Sequence, residues 1–210
     1  FSAMPKLSSE ALDFAANEQR KAEQQGVSLI SILDPRYPKM LKEIPDAPLF
    51  LFVRGQIPDA KFTVGIVGSR AASASACDFA SSFAAGVVAA GGLVVSGLAL
   101  GIDAAAHRGS LSSPGIAVLG SGVLNIYPRE HNALAEDLIR SGGAIISEHP
   151  IFEGPRPHYF PERNRIVSGL SDFVLIVEAA KKSGALITAR LALEQGRDVG
   201  AVPGLSLIHI

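Results

Sequence analysis

TVGIVGSR, residues 63–70, ends a short apolar run in a glycine, a serine and an arginine, and a helix-like segment follows from Ser73. A strand that stops at such a turn exposes backbone N–H groups where the next helix begins, and the helix dipole makes that place attractive to anions. Arg70 adds a guanidinium that can fork onto a phosphate. The spacing is not that of an ordinary dinucleotide site. Gly65 and Gly68 are three apart, the third glycine of a G-x-G-x-x-G fingerprint would fall on Ala71, and the next strand ends in VVSGLALGID without the expected acidic residue.

Outward from this stretch the pattern is regular. Apolar runs TVGIV, LVVSG, GIAVLG, AIISE, FVLIVEA and DVGAVPG alternate with helical windows near 73–90, 101–111, 130–141, 160–170 and 184–195. Strands apolar on both faces and separated by helices imply a mainly parallel sheet covered on both sides. Right-handed crossovers then leave a Rossmann-like, doubly wound α/β sheet, in which ligands bind outside the carboxyl ends of the strands. Before it, residues 9 to about 25 read as one helix stopped by Gly26, and residues 27–55 as two short strands around a compact helical turn. The division expected is a small N-terminal α/β extension over 4–58, packed on a main domain over 59–204. Residues 205–210, and FSA before Met4, read as vector-derived.

With 210 residues, 48% of them hydrophobic, the chain can bury a substantial core. Nineteen Lys and Arg against 20 Asp and Glu leave no overall basic excess, so any polyanion must be met by local placement of charge. No apolar run approaches the roughly 18 residues of a membrane span, and no signal pattern opens the chain. A single cysteine, Cys77, fits a reducing compartment and a packing role in a helix. A cytoplasmic protein with no membrane association is expected.

The unusual sequences fall just after the strands, on the edge where Gly68, Ser69 and Arg70 stand. SGLALGID offers Gly97 and Gly101 for close backbone approach and Asp103 as an acceptor, and GSGVLNIYPREHN offers Gly120, Gly122, the ring of Tyr127 and the charge of Arg129. EHPIFEGPRPHYFPERNRI is stiffened by four prolines and interleaves Arg156, Arg163, Asn164 and Arg165 with His158, Tyr159 and Phe160, as single-strand grooves do. EAAKKSGALITAR places Lys181, Lys182, Ser183, Gly184 and Thr188 at another helix N-terminus, a second phosphate cradle. Each of these also has a structural reading: helix caps for Asp103 and Gly101, core packing for Phe160, a solvated face for any one arginine. There is no Gly-x-Ser-x-Gly elbow and no Walker sequence, and the histidines at 107, 131, 149, 158 and 209 lack metal-ligand spacing. No cofactor, metal or catalytic set is expected: the site reads as one that holds an anion.

Taken in order, DPRYPKMLKEIPDAPLFLFVRG, GIVGSR, SGLALGIDAAAH, LGSGVLNIYPREHN, FPERNRIVSGLSD and VEAAKKSGALITARLALEQGRDVGAVPG strongly resemble the DNA-processing protein A (DprA/Smf) family from about residue 27 to Gly204. The resemblance implies an extended Rossmann fold that binds single-stranded DNA, protects incoming strands in natural transformation and loads the RecA recombinase. It also implies a homodimer paired partly through the last portion of the domain, where this chain changes into LSLIHI. Carried over by motif, DNA contact falls on Gly68, Ser69 and Arg70, on Arg163 and Arg165, and on Lys181 with its neighbours. The rival is a nucleotide enzyme, akin to Rossmann-like hydrolases of nucleoside monophosphates. Those use a Pro-Gly-Gly-x-Gly-Thr loop where this chain has Ser183-Gly184, leaving Glu178 as the one acid–base candidate. The expectation is instead that Glu178 holds Lys181, Lys182 and the FPERNR arginines in position.

Overall fold

The computed structural model describes residues 9–180 and 183–204, so Lys181, Lys182 and the tail over 205–210 lie outside the described residues. In chain order the elements are α1 Ser9–Gln24, β1 Ser28–Ser31, α2 Lys39–Lys42, β2 Phe50–Gly55, β3 Thr63–Val67, α3 Ala74–Ala89, β4 Leu93–Ser96, α4 Ile102–Ser110 and β5 Gly115–Val118. A 3-10 turn over Arg129–His131 then leads into α5 Asn132–Arg140, β6 Ala144–Ser147, α6 Tyr159–Gly169, β7 Phe173–Ile176, α7 Gly184–Glu194 and β8 Asp198–Ala201. The apolar runs and helical windows read from the sequence coincide with these elements to within a few residues at their ends.

One sheet of eight strands results, in the order β1-β2-β6-β5-β4-β3-β7-β8. The six strands from β3 onward pair in parallel, whereas β2 runs antiparallel to both β1 and β6. The N-terminal extension is therefore continuous with the sheet: Phe52 pairs with Ser147 and Val53 with Ile146. Arg54 also donates to Glu136 of α5 at 2.7 Å, fastening β2 from the helical side.

Period-two alternation decides which helix each strand side chain meets. Val64 and Ile66 of β3 join Ala76, Ala80 and Ala84 of α3 and Ile102, Ala105 and Ala106 of α4 on one face. Val67 points the other way, into a cluster with Val95, Ile176, Ile166 of α6 and Ala185 and Ala189 of α7. Alanine-rich α3 permits a close crossing by α4, where a Cβ on Gly109 would strike the Ser81 carbonyl.

The strand order reverses at β3. Its chain-order successors β4, β5 and β6 lie on one side, and β7 and β8 on the other. Crossovers leaving in opposite directions open a crevice above the carboxyl ends of β3 and β7, the place where open α/β sheets bind ligands. The Gly68-Ser69-Arg70 turn follows one of these strands and the Ser183-Gly184 turn the other.

Candidate nucleic-acid interface

A cleft of about 760 Å³ stands in that crevice. Its walls come from four strand-end turns and from α6: Gly68, Ser69 and Arg70; Ala99 and Asp103; Tyr127; Phe160, Arg163 and Asn164; and Ser183, Gly184 and Thr188. Residues that lie in separate loops of the sequence thus share one surface with the start of α7.

At the first turn, Gly68 lets two elements touch, since a Cβ there would stand 2.5 Å from Ile102 Cγ1. Ser69 Oγ accepts from the Ala71 amide at 3.2 Å and tightens the bend. Arg70 is exposed, and none of the ion pairs among the described residues includes it. Its guanidinium carbon lies 5.0 Å from the centre of the Phe160 ring, a cation–π distance. The Tyr127 ring stands 5.6 Å beyond, tilted by 47° against Phe160 and nearly half exposed at 46%. An exposed cation and two aromatic rings therefore line the cleft wall in a row.

The helix ends correct the expectation in places. The start of α3 does not wait for an external anion, because Ser73 caps it and Glu178 Oε2 accepts from the Ser73 hydroxyl at 2.8 Å and from its amide at 3.2 Å. Glu178 thus serves the α3 N-terminus; Arg163 and Arg165, which it was expected to orient, have other partners, and Lys181 and Lys182 lie outside the described residues. Asp103, in the first turn of α4, does not cap that helix but reaches back into the preceding turn, its Oδ2 accepting from the Gly97 and Ala99 amides at 3.1 and 3.3 Å. At α7 the cap is the neutral hydroxyl of Ser183, which accepts from the Ala185 amide at 3.2 Å.

Two of the expected arginines are engaged by partners within the protein. Arg163 is 4% exposed and donates from Nη1 to the Gly97 carbonyl at 2.6 Å and to the Val118 carbonyl. It reaches the cleft floor as a brace between β4 and β5, because a guanidinium in a low-dielectric crevice takes the nearest carbonyls. Burial pulls its pKa down to about 10, with Asp103 opposing; burial likewise pushes the Asp103 carboxyl up, against the pull of Arg163. Arg165, next but one along α6, points to the other side. It grips Glu148 in a two-pronged pair at 2.8 and 2.6 Å and Asp46 at 3.0 Å, and it lines a separate recess of about 470 Å³.

The proline-stiffened loop also uses its own partners. Arg156 pairs with Glu153 at 2.6 Å and lies over Tyr159, and His149 stacks on Tyr159 at 3.8 Å, so Phe160 alone of that aromatic run faces the cleft. Gly120 and Gly122 do not line it. A Cβ on Gly120 would stand 3.1 Å from Phe160, and one on Gly122 would strike the Pro150 and Ile151 carbonyls, so both serve packing. Gly97 is buried under the floor, with a Cβ position filled by Arg163. Thr188 is 1% exposed at the base of the α7 wall. Asn164 ties α6 to α7, donating to the Gly184 carbonyl at 3.2 Å. What sequence reading missed is the buried layer below: His131, whose Nδ1 lies 2.8 Å from the Leu98 carbonyl, and Leu98 itself at a positive φ of 56°. Neither residue type carries a local signal for such a role.

Among the described residues no group of three or more His, Cys, Asp or Glu side chains could hold a metal ion, and no helix is long and apolar enough to cross a membrane.

Comparison with known proteins places these features in a family. Residues 28–207 match the model of the DNA recombination-mediator protein A family. Protein Smf of Escherichia coli is 46% identical over 87% of this chain and 50% of its own length. The structure of DNA processing protein A from Streptococcus pneumoniae superposes with a TM-score of 0.79 at 39% identity, covering 90% of this chain and 67% of that one. DNA processing protein A from Helicobacter pylori, whose structure is described for its single-stranded DNA binding mode, superposes at 0.77 with 29% identity over 84% of this chain and 80% of that one. The chain spans from half to about three fifths of the length of the first curated relatives it matches.

Proposed function

The chain belongs to the DNA recombination-mediator protein A family, and on that premise we propose that its cleft binds single-stranded DNA. The observation that carries the reading is the Arg70–Phe160–Tyr127 row: an arginine without an ion-pair partner among the described residues, held over one ring and followed by a second, exposed ring. Such a row suits an unstacked strand, whose phosphate meets the cation while a base lies on an aromatic face, an interaction of about 1–3 kcal/mol per base. A duplex keeps its bases stacked inside and offers only the phosphates. The contacts proposed are Gly68, Ser69 and Arg70 on one wall and Asn164, Ser183 and Gly184 on the other, with Lys181 beside them in the sequence. Residues 59–204 would form the binding unit and 4–58 its extension.

The reading extends to the family's role: shielding incoming strands in natural transformation and loading RecA recombinase, as a cytoplasmic homodimer and without a cofactor. The nucleotide-hydrolase alternative is disfavoured by Glu178, whose carboxylate is engaged with Ser73 and so is not presented as a general base. The test is a fluorescence anisotropy titration with labelled oligothymidylate and with a blunt duplex of equal length at one fixed salt. Tighter binding of the single strand is expected; equal affinities would remove the reading. Release of free base from a nucleoside monophosphate panel, lost in Glu178→Gln, would replace it with the enzyme.

A further inference from the structure

At the floor of the cleft lies a set of buried polar side chains engaged with the backbone of one turn. The turn from β4 to α4 passes through Gly97, Leu98 and Ala99, and three side chains grip it from three sides. Arg163 donates to the Gly97 carbonyl at 2.6 Å, Asp103 accepts from the amides on either side of Leu98 at 3.1 and 3.3 Å, and His131 Nδ1 lies 2.8 Å from the Leu98 carbonyl. All three are at most 6% exposed, and they come from α6, α4 and the turn before α5.

What they hold is a strained conformation. Leu98 has φ 56°, in the left-handed region that a bulky side chain rarely takes, and it is fully buried. Such a residue persists only where its surroundings over-determine it, and such residues concentrate at functional sites. The far end of the same turn abuts the ligand loop: the Ile102 amide donates to the Ser69 carbonyl at 3.2 Å, and a Cβ on Gly101 would strike that carbonyl and lie 3.0 Å from the carbonyl of Arg70.

We propose that Arg163, Asp103 and His131 are positioning residues, which clamp the β4–α4 turn so that it buttresses the Ser69–Arg70 backbone and sets where the Arg70 guanidinium stands over Phe160. The inference rests on the reading of the cleft as a single-stranded DNA site. A positioning residue differs from a phosphate ligand in one measurable respect: its loss weakens binding without changing how many counterions binding releases. It differs from a general stability residue in another: its loss loosens the turn while remote amides keep their protection.

The experiment compares Arg163→Met, Arg163→Lys and Asp103→Ala with the wild type. Amide hydrogen exchange of the free protein reads Ala71 and Ile102, with Val53 in β2, paired on both sides by β1 and β6, as the remote reference, and oligothymidylate titrations are run at several salt concentrations. In Arg163→Met and Asp103→Ala, exchange at Ala71 and Ile102 should rise about tenfold and affinity fall about tenfold, as the loss of one charge-assisted hydrogen bond implies. The slope of log affinity against log salt should stay at the wild-type value. Arg163→Lys, which keeps the charge on a shorter stem, should recover some of both effects. Should Arg163→Met fail to fold, Asp103→Ala tests the opposite side of the clamp alone. Wild-type exchange at Ala71 and Ile102 in a folded variant overturns the proposal, and so does a slope made shallower by about 0.7 in Arg163→Met, which would make Arg163 a direct phosphate ligand. If the wild type fails to bind oligothymidylate, the DNA reading falls, and the exchange data still decide whether the clamp holds the turn.

Discussion

Replacing Arg70 by alanine removes an exposed cation of the cleft wall while leaving the Phe160 and Tyr127 rings in place. Each phosphate neutralised on a single strand contributes about −0.7 to the slope of log affinity against log salt. Of the arginines expected at the site, Arg163 is buried on two carbonyls and Arg165 is paired with Glu148 and Asp46, so on the proposed reading neither should add to that slope, and Arg70 alone of the three should meet a phosphate. The variant should therefore lose about 0.7 from the slope. Between 50 and 200 mM salt, a fourfold change, that loss amounts to a factor of about 2.6 in affinity. The ratio of mutant to wild-type Kd should accordingly shrink about 2.6-fold across this range, in addition to a weakening present at every salt concentration. Anisotropy titrations with one labelled oligothymidylate at four salt concentrations measure it directly. A ratio that stays constant with salt would show that Arg70 does not meet a phosphate, and wild-type affinity throughout would remove it from the site.

Tyr127→Ala should weaken oligothymidylate binding by about 1–3 kcal/mol with no change of salt slope, because a ring contributes by stacking and carries no charge; an unchanged Kd would exclude stacking on Tyr127. Arg165→Met should leave both affinity and slope at their wild-type values yet lower the unfolding free energy by about 1–3 kcal/mol in urea titrations, since Glu148 keeps its partly buried charge and loses its partner. Burial holds His107 neutral, with its pKa pushed down from 6.5 to about 3. Between those values the unfolded chain binds a proton that the folded chain does not, so this contribution is intact above pH 6.5 and is lost on acidification toward pH 3, at up to about 1.4 kcal/mol per pH unit. Urea midpoints from pH 7 to pH 4 should fall less steeply for His107→Gln than for the wild type, and parallel pH dependences would show that another group governs acid stability.

The sequence by itself determined the order of strands and helices, their parallel arrangement and the edge on which ligands are met. Runs such as TVGIV and LVVSG are apolar on both faces, which only a sheet covered on both sides can bury, and the helices between them leave one handedness of crossover. The helix starts near Ser73 and Ser183 were equally legible, while the capping bonds of those two serines are seen in the structure. Residues 27–55 showed their two strands and helical turn. That those strands extend the same sheet by antiparallel pairing on β6 was decided in space, by an edge some 90 residues further along the chain.

Only the tertiary structure sorted the charged groups. Arg70, Arg163 and Arg165 look alike in sequence, and two of them stand in one six-residue motif. Two positions along a helix turn side chains about 200° apart, however, so Arg163 enters the crevice between β4 and β5 while Arg165 meets Glu148 and Asp46 on the far side. Glu178 looked from its place in the sequence like a group for the cations around it, and only the fold shows that it serves Ser73, which is 105 residues away in the chain and adjacent in space. Local pattern follows from short-range sterics and side-chain period, both of which are written in neighbouring residues. Whether a charge is free to meet a ligand depends on which donors and acceptors long-range packing brings within about 3 Å of it, and a buried guanidinium or carboxylate takes those partners first.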